Sequence, residues 1–513
     1  MGAYLAQTMP EPAANADTTL LPNPSGRDPL ASLWRIPTAR LRCAAVANAV
    51  ADGRSGWFSL NDDALPALVQ RLVERLCDHP LGSSMSGLGV WRHLDGGDGH
   101  ARRALDEALA NRGPAEALRA RLDWACIAAL MGHGAGPAWS FDDSRAHEVN
   151  HLALPVHRQG RDELLAMLNQ ASGAAASTPA AEPAPATAEA GPDTTEAPAN
   201  TAALAAPAER LRGAEGLALA ILRAFMAGAF SADANDPLRV DARVLSRIDA
   251  AALRALFQAG QHNPLPGLDA RAATLQRWGR RLEAQGQGPA ARPCALLDPW
   301  LGPAGLGVGT PVDPAAVLER VVSHWAEVLR PDGRVLGLPA GDVWPHLWAG
   351  SASAPGHGAL GTVDTERATD PGTGGWLPLH QTAQWLVFSL LEPLAQAGVQ
   401  LADDQGLTAL AAGRAGAMLL DSGIAVPRAA PDLQREWKVG DSWIIEWRAL
   451  TLHGMTLVAE QARAQCAARG LVLTLGQVLQ QGVEGVEANA THAVGSAALR
   501  ATTQPRCASS LGF

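Results

Sequence analysis

Four groups of residues in this chain have the types and spacing to do chemistry. His380 and Gln384 lie one helical turn apart in WLPLHQTAQWLVFSLLEP, which is apolar on enough sides to be a buried helix. An imidazole and an amide held in a core need hydrogen-bond partners, and they serve there either as satisfied core groups or as ligand-orienting ones. Glu446 and Arg448 sit in DSWIIEWRALTLHGM, at opposite borders of an apolar arc through Trp443, Trp447, Leu450 and Met455. They cannot pair with each other, so each must meet another element, as a structural ion pair or as a site residue. Asp342 stands beside Trp344 and His346, after an expected strand over 334–338 and just before a glycine-rich segment, 350–375, able to act as a lid. Trp91, Arg92 and His93 are presented together by the glycine-rich stretch 81–99. An aromatic, a cation and an imidazole can hold an anionic sugar phosphate, although an ordinary surface turn has the same composition.

A fifth pattern, His147-Glu148-Val149-Asn150-His151 with His157 beyond it, matches the helical zinc-peptidase motif HExxH. Leu154 stands where the extended form of that motif needs a turn-forming glycine, and Pro155 follows at once. No metal is therefore expected, and no cofactor.

The elements that must position these groups read as helices. Expected are a helical stretch from Pro29 to Gly53 broken at Pro37, and a second helix capped by Asn61-Asp62-Asp63 and running to Cys77. Helices over 101–111 and 114–131 follow, and GAEGLALAILRAFM, DPAAVLERVVSHWAEVL and the run 441–470 are also helical. The central helix is expected from Pro378, in its first turn, to Pro393 at its end. Arg271, Arg277, Arg280 and Arg281 read as a solvated helix face. Residues 1–28 have no apolar period, and 171–207 collapse to Ala, Pro, Thr, Glu and Gly, a flexible linker or insertion. The expected fold is thus mostly α: a large helical domain built from 29–170 and 208–480, with a few short strands, a disordered Ala/Pro-rich insertion between the two parts and a tail over 481–513. Two helical domains divided by the linker are the alternative.

Composition narrows the function. With 513 residues, 47% hydrophobic and 18% charged, the chain can bury a large core; fifteen Trp against one Tyr make tryptophan its characteristic aromatic. A net charge of −10 without a dense basic run argues against nucleic acid as a partner. The six cysteines form no C-x-x-C pair and read as reduced core residues, which points to the cytoplasm. No signal-like segment and no run of about eighteen apolar residues is expected to engage a membrane. Oligomeric state is not encoded in any pattern found.

Trp91-Arg92-His93-Leu94, Gly341-Asp342-Val343-Trp344, Pro378-Leu379-His380-Gln381-Thr382-Ala383-Gln384-Trp385-Leu386 and Glu446-Trp447-Arg448-Ala449-Leu450-Thr451, in this order, resemble the uracil-catabolism protein four family of bacteria and fungi. The resemblance covers most of 29–474. Two departures stand out: Gln381 replaces the usual lysine, and 144–208 reads as an insertion. More distantly, the order of elements is similar to the queuosine salvage proteins, which hydrolyse an N-glycosidic bond of a modified nucleotide. The resemblance implies a role in a pathway where uracil becomes a ribosyl phosphate, the ring opens and urea is released. The ligand is then a nucleoside or nucleotide derivative, and the expected reaction is hydrolysis of the N-glycosidic bond of ribosylurea or its phosphate. That chemistry needs a carboxylate beside the anomeric carbon, an activated water and a donor to the leaving nitrogen. Asp342 is the first candidate carboxylate and Glu446 the second. His380 would serve the leaving group or the water, and Gln384 the amide edge. Trp91, Trp344 and Trp385 would be substrate-binding residues, and Arg92, His93 and Arg448 would take phosphate and ribose hydroxyls. A C–N amidohydrolase, the zinc peptidase and a non-catalytic ligand-binding or scaffold protein are the competing classes.

Overall fold

The computed structural model describes residues 28–78, 87–95, 99–132, 134–146, 210–287, 291–302, 311–350, 373–411, 413–429, 436–483 and 506–507. The N-terminal segment 1–27, the Ala/Pro stretch, the HExxH motif with His157 and most of the proposed lid lie outside them.

The fold is mostly helical, with short strands only. Among the described residues ten helices are nine residues or longer: α1 (Ile36–Ala51), α2 (Ala64–Asp78), α3 (His100–Leu109), α4 (Pro114–Met131), α5 (Gly213–Met226), α6 (Leu268–Leu282), α7 (Pro314–Leu329), α8 (Gln381–Gln396), α9 (Gly413–Asp421) and α10 (Ser442–Ala468). Two of them organise the rest. In α8 apolar residues point in all directions, and the helix is clasped by α4 on one side and α7 on another, so Trp385, Leu386, Val387, Phe388 and Leu390 are all buried. Twenty-seven residues of α10, about 40 Å of helix, run between α1 and α2, with α9 alongside. Enclosure on several sides explains why most of its first seventeen residues are buried regardless of helical phase.

The strands are pairs, not a sheet. β1 (Phe58–Leu60) pairs with β8 (Ala425–Pro427); β2 (Ser140–Asp142) with β3 (Arg210–Arg212); β4 (Arg334–Val335) with β5 (Leu338–Pro339); β6 (Val343–Pro345) with β7 (Trp376–Pro378); and β9 (Glu436–Trp437) with β10 (Arg506–Cys507). The strand expected over 334–338 is instead a tight hairpin, because Leu336 and Gly337 both take positive φ and turn the chain at its middle.

Three further readings need correction. The central helix begins at Gln381: Pro378 closes β7, and His380 is the residue before the first turn, in the left-handed region at φ 48° and ψ 37°. Pro393 lies inside that helix, which runs on to Gln396. Trp91-Arg92-His93 are in a short 3-10 turn, Val90–Leu94, with Trp91 buried, so they are no surface turn. Arg271 is not on a solvated face: it is fully buried and donates to the carbonyls of Met131 and Gly134, ending α4.

Candidate functional site

The site begins with the β6–β7 pair. Register sets Val343 opposite Pro378 and Pro345 opposite Trp376, which places Asp342 at the entrance of α8 and His346 at the other end of β6. Arg42 of α1 pins the start of β7 by donating to the Thr373 carbonyl at 2.8 Å and to that of Trp376. The Thr373 hydroxyl takes a second bond from Arg42 and lies 3.2 Å from that of Ser32. The Asp342 carbonyl accepts from Leu379 N–H at 3.0 Å, completing the joint. Leu377, Leu379, Ile445, Ala449, Leu452 and Cys43 form a small apolar cluster around it.

Inside that cluster every acceptor position of Asp342 is used. Arg448, with no exposed side-chain surface, donates Nη1 to Oδ1 at 3.0 Å and Nη2 to Oδ2 at 2.6 Å, a bidentate pair. Trp344 Nε1 donates to Oδ1 at 2.6 Å and Gln381 N–H, at the N-terminus of α8, to Oδ2 at 3.0 Å. Arg448 Nε is fixed by the Ala411 carbonyl at 3.1 Å. Burial works to raise the Asp342 carboxyl, but the Arg448 charge and hydrogen bonds, with those from Trp344 and Gln381, outweigh it and hold the group well below the usual carboxylate range. Arg330 adds a cation 3.4 Å from the centre of the Trp344 ring while donating to the Val343 carbonyl at 2.6 Å.

Glu446, two residues before Arg448, lives in another environment. It is 3% exposed and accepts a short hydrogen bond from the Ser55 hydroxyl, which in turn takes the N–H groups of Trp57 and Phe58. His346 Nε2 stands 4.0 Å from its other oxygen, too far for a hydrogen bond. Burial pushes the Glu446 carboxyl up to about 7 against the smaller opposing effects of Ser55 and Arg428, and burial lowers the His346 imidazole to about 4. Near neutrality Glu446 therefore exchanges a proton while its histidine neighbour is uncharged.

His380 is 1% exposed, and its Nε2 faces the Leu33 carbonyl at 2.7 Å. Facing a carbonyl, that nitrogen carries the proton, which leaves Nδ1 as a bare acceptor; Nδ1 is buried without a partner among the described residues. Burial also lowers the His380 pKa, so the neutral form prevails. The left-handed backbone of a β-carbon-bearing residue costs about 1 kcal/mol or more and is held by that Nε2 bond. Donation from His380 to a leaving group is thus excluded by the tautomer, whereas acceptance from a ligand N–H fits it.

The remaining sequence candidates separate from this group. The Gln384 carbonyl oxygen accepts from both the N–H (3.0 Å) and hydroxyl (2.9 Å) of Thr408, and the residue is fully buried, which makes it a brace between α8 and the 408 turn. Trp91 donates to the Ser389 carbonyl at 2.9 Å, Arg92 to Gln480 at 3.0 Å, and both Arg92 and His93 lie against the Trp385 ring. Trp385 and Ser389 are one and two turns along α8 from Gln381. Arg448 is engaged by Asp342 and Ala411, and Gln381 has its amide oxygen 3.4 Å from Arg448 Nη2. Sequence reasoning gave no role to Ser55, Arg330 or His346. A Ser in RSG carries no signal, whereas Arg330 at the end of α7 and His346 between two tryptophans could have been marked as cation and imidazole beside aromatic surface.

A family model described as "Protein of unknown function (DUF1688)" matches residues 32–160 and 201–487. Among curated proteins, the chain is 28% identical over 240 residues to Protein urg3 of Schizosaccharomyces pombe, covering 46% of this chain and 52% of that one. It is 27% identical over 264 residues to Uracil catabolism protein 4 of Lachancea kluyveri, covering 46% and 56%. The chain thus spans about half the length of the curated relatives it matches.

Proposed function

The chain belongs to the DUF1688 family, and from that premise we propose that it acts in uracil catabolism, the role in the printed name of one relative, by hydrolysing the N-glycosidic bond of a ring-opened uracil ribonucleoside or its phosphate. The observation that carries this reading is the pair of carboxylates pushed in opposite directions: Asp342 kept ionised by Arg448, and Glu446 raised to about 7. Such separation assigns roles in glycosidic chemistry, a fixed negative charge against the developing cation and a proton carrier for the leaving group. Glu446 in its protonated form donates to the departing nitrogen as the C1′–N bond breaks. Water then forms the C1′–O bond and returns its proton to the Glu446 carboxylate, so that ribose and urea leave and the enzyme is restored. His380 Nδ1, an acceptor, takes an N–H of the urea-like group. Sequence ranking is thereby inverted: Asp342 supplies charge and Glu446 moves protons.

One observation favours a second reading. Both Asp342 oxygens are already saturated by protein donors, as in a structural ion pair, which suits a pathway protein that binds its ligand without turnover. Mass spectrometry of purified protein incubated with ribosylurea and its 5-phosphate decides between them. Release of urea by wild type and its loss in Glu446→Gln supports hydrolysis; intact ligand with wild-type protein, together with measurable binding, replaces it by the binding role.

A further inference from the structure

Away from Asp342 and Glu446, a cleft of about 380 Å³ opens between α6, α7, the turn 292–297 and the segment leading into α1. Three guanidinium groups converge on it, from Arg281, Arg292 and Arg320, and Asp28 is the one carboxylate among its lining residues. None of the three is there by slack. Arg281 Nε donates to the His324 carbonyl at 2.8 Å and Arg320 Nε to that of Leu296 at 2.7 Å, which orients each fork and leaves its terminal nitrogens without protein partners among the described residues. Arg292 is held by Asp123 at 2.8 Å and Glu116 at 3.0 Å, but its Nη2 is buried with no acceptor among the described residues.

The indole nitrogens of Trp325, 1% exposed, and of Trp34 are likewise buried donors at the same cleft, without partners among the described residues. Buried N–H groups without acceptors cost roughly 1–3 kcal/mol each, so several at one cavity mark a place built for an acceptor-rich ligand. Asp28 offers little competition, because its Oδ1 already takes the Leu30 N–H at 2.8 Å. His324 feels the excess of positive charge: burial, Arg320 and Arg281 all lower its pKa.

We propose that this cleft is a binding site for a phosphomonoester, its dianion held by the unengaged guanidinium nitrogens of Arg281 and Arg320 and by the orphaned Arg292 and Trp325 N–H donors. Planar guanidinium forks suit tetrahedral oxyanions, and the cavity is large enough for a sugar phosphate. The site is independent of the proposed hydrolysis, although the two regions share a wall: Trp34 lines the cleft and its neighbour Leu33 accepts from His380.

Calorimetric titration of the full chain with inorganic phosphate, ribose 5-phosphate and ribose tests the proposal without any turnover. Binding of ribose 5-phosphate but not ribose is expected, weakening as salt rises. Phosphate alone binding as tightly as the ester would assign the site to the free ion, and that too supports the anion cradle. Arg320→Gln and Arg281→Gln should each weaken binding about tenfold, with unchanged circular dichroism. Arg254→Gln, on an exposed residue of the short helix Ala250–Leu256, should change nothing. No binding of either phosphate by wild type, equal binding of ribose, or undiminished affinity in the folded Arg281→Gln/Arg320→Gln double variant overturns it. A loss of urea release from ribosylurea itself would leave this result untouched, because that substrate carries no phosphate.

Discussion

Asp342 and Glu446 are both buried carboxylates served by the first turns of α10, yet they end in opposite states. Asp342 has four donors, two of them from a guanidinium that water does not reach. Among the described residues Glu446 has one hydroxyl, a distant uncharged imidazole and only a remote cation in Arg428. Burial alone raises both. What separates them is whether a charge partner is supplied at contact distance, and that is settled by Arg448 facing the β6–β7 joint while Glu446 faces the loop that ends α1. The same helix therefore carries a permanent charge and, half a turn away, a carboxyl pushed up to about 7.

The comparison breaks most visibly at Asp342. Replacing it with Asn leaves Arg448 buried and uncompensated, which should cost about 3–5 kcal/mol of stability, read by chemical denaturation. The double change Asp342→Leu with Arg448→Met should recover much of that loss, because both charges then go together.

Removing the Glu446 charge should act in the other direction and only above acid pH. Its carboxyl is raised from 4.5 to about 7 on folding, so the folded state binds the proton more tightly. The stability this gives is complete below about 4.5 and is lost as pH rises through about 7. Glu446→Gln should match wild type near pH 4 and exceed it at pH 8, by up to roughly 3 kcal/mol, seen as diverging melting curves.

Ser55→Ala should sharpen the contrast by a smaller step. Losing the hydroxyl donor should destabilise by about 1 kcal/mol and raise the Glu446 pKa further, so that the loss of stability with rising pH, followed by melting curves, continues to a higher pH in the variant than in wild type. His380→Asn is the mildest. Asn tolerates the left-handed backbone and keeps a donor for the Leu33 carbonyl, so stability should change by less than about 1 kcal/mol, while affinity for a urea-bearing ligand falls in titration calorimetry.

Much of this was legible from residue order. Helix periodicity located α1, α2, α4, α7 and α10 within a few residues, and the border positions of Glu446 and Arg448 required partners on other elements, which they have in Ser55 and Asp342. Other features depend on contacts between segments far apart in the chain. Nothing local says that Pro378 pairs with Val343, and without that pairing the central helix is naturally begun at the proline instead of at Gln381. Gln384 read as a ligand group because its acceptor role toward Thr408, twenty-four residues on, has no sequence signature. Arg271 read as solvated because the carbonyls it satisfies belong to α4 and the residues after it. The opposite protonation of the two carboxylates was illegible for the same reason: a pKa is set by neighbours in space.

The division of labour is tested most directly by an isotope-edited infrared titration of protein labelled at its glutamate carboxyls, with Glu446→Gln alongside. A protonated-carboxyl band that disappears with a midpoint at about pH 7 in wild type, and is absent from Glu446→Gln, is the predicted result. A wild-type spectrum in which all glutamates have ionised by pH 6, or a near-neutral band that persists in Glu446→Gln, would contradict the assignment of Glu446 as the proton carrier.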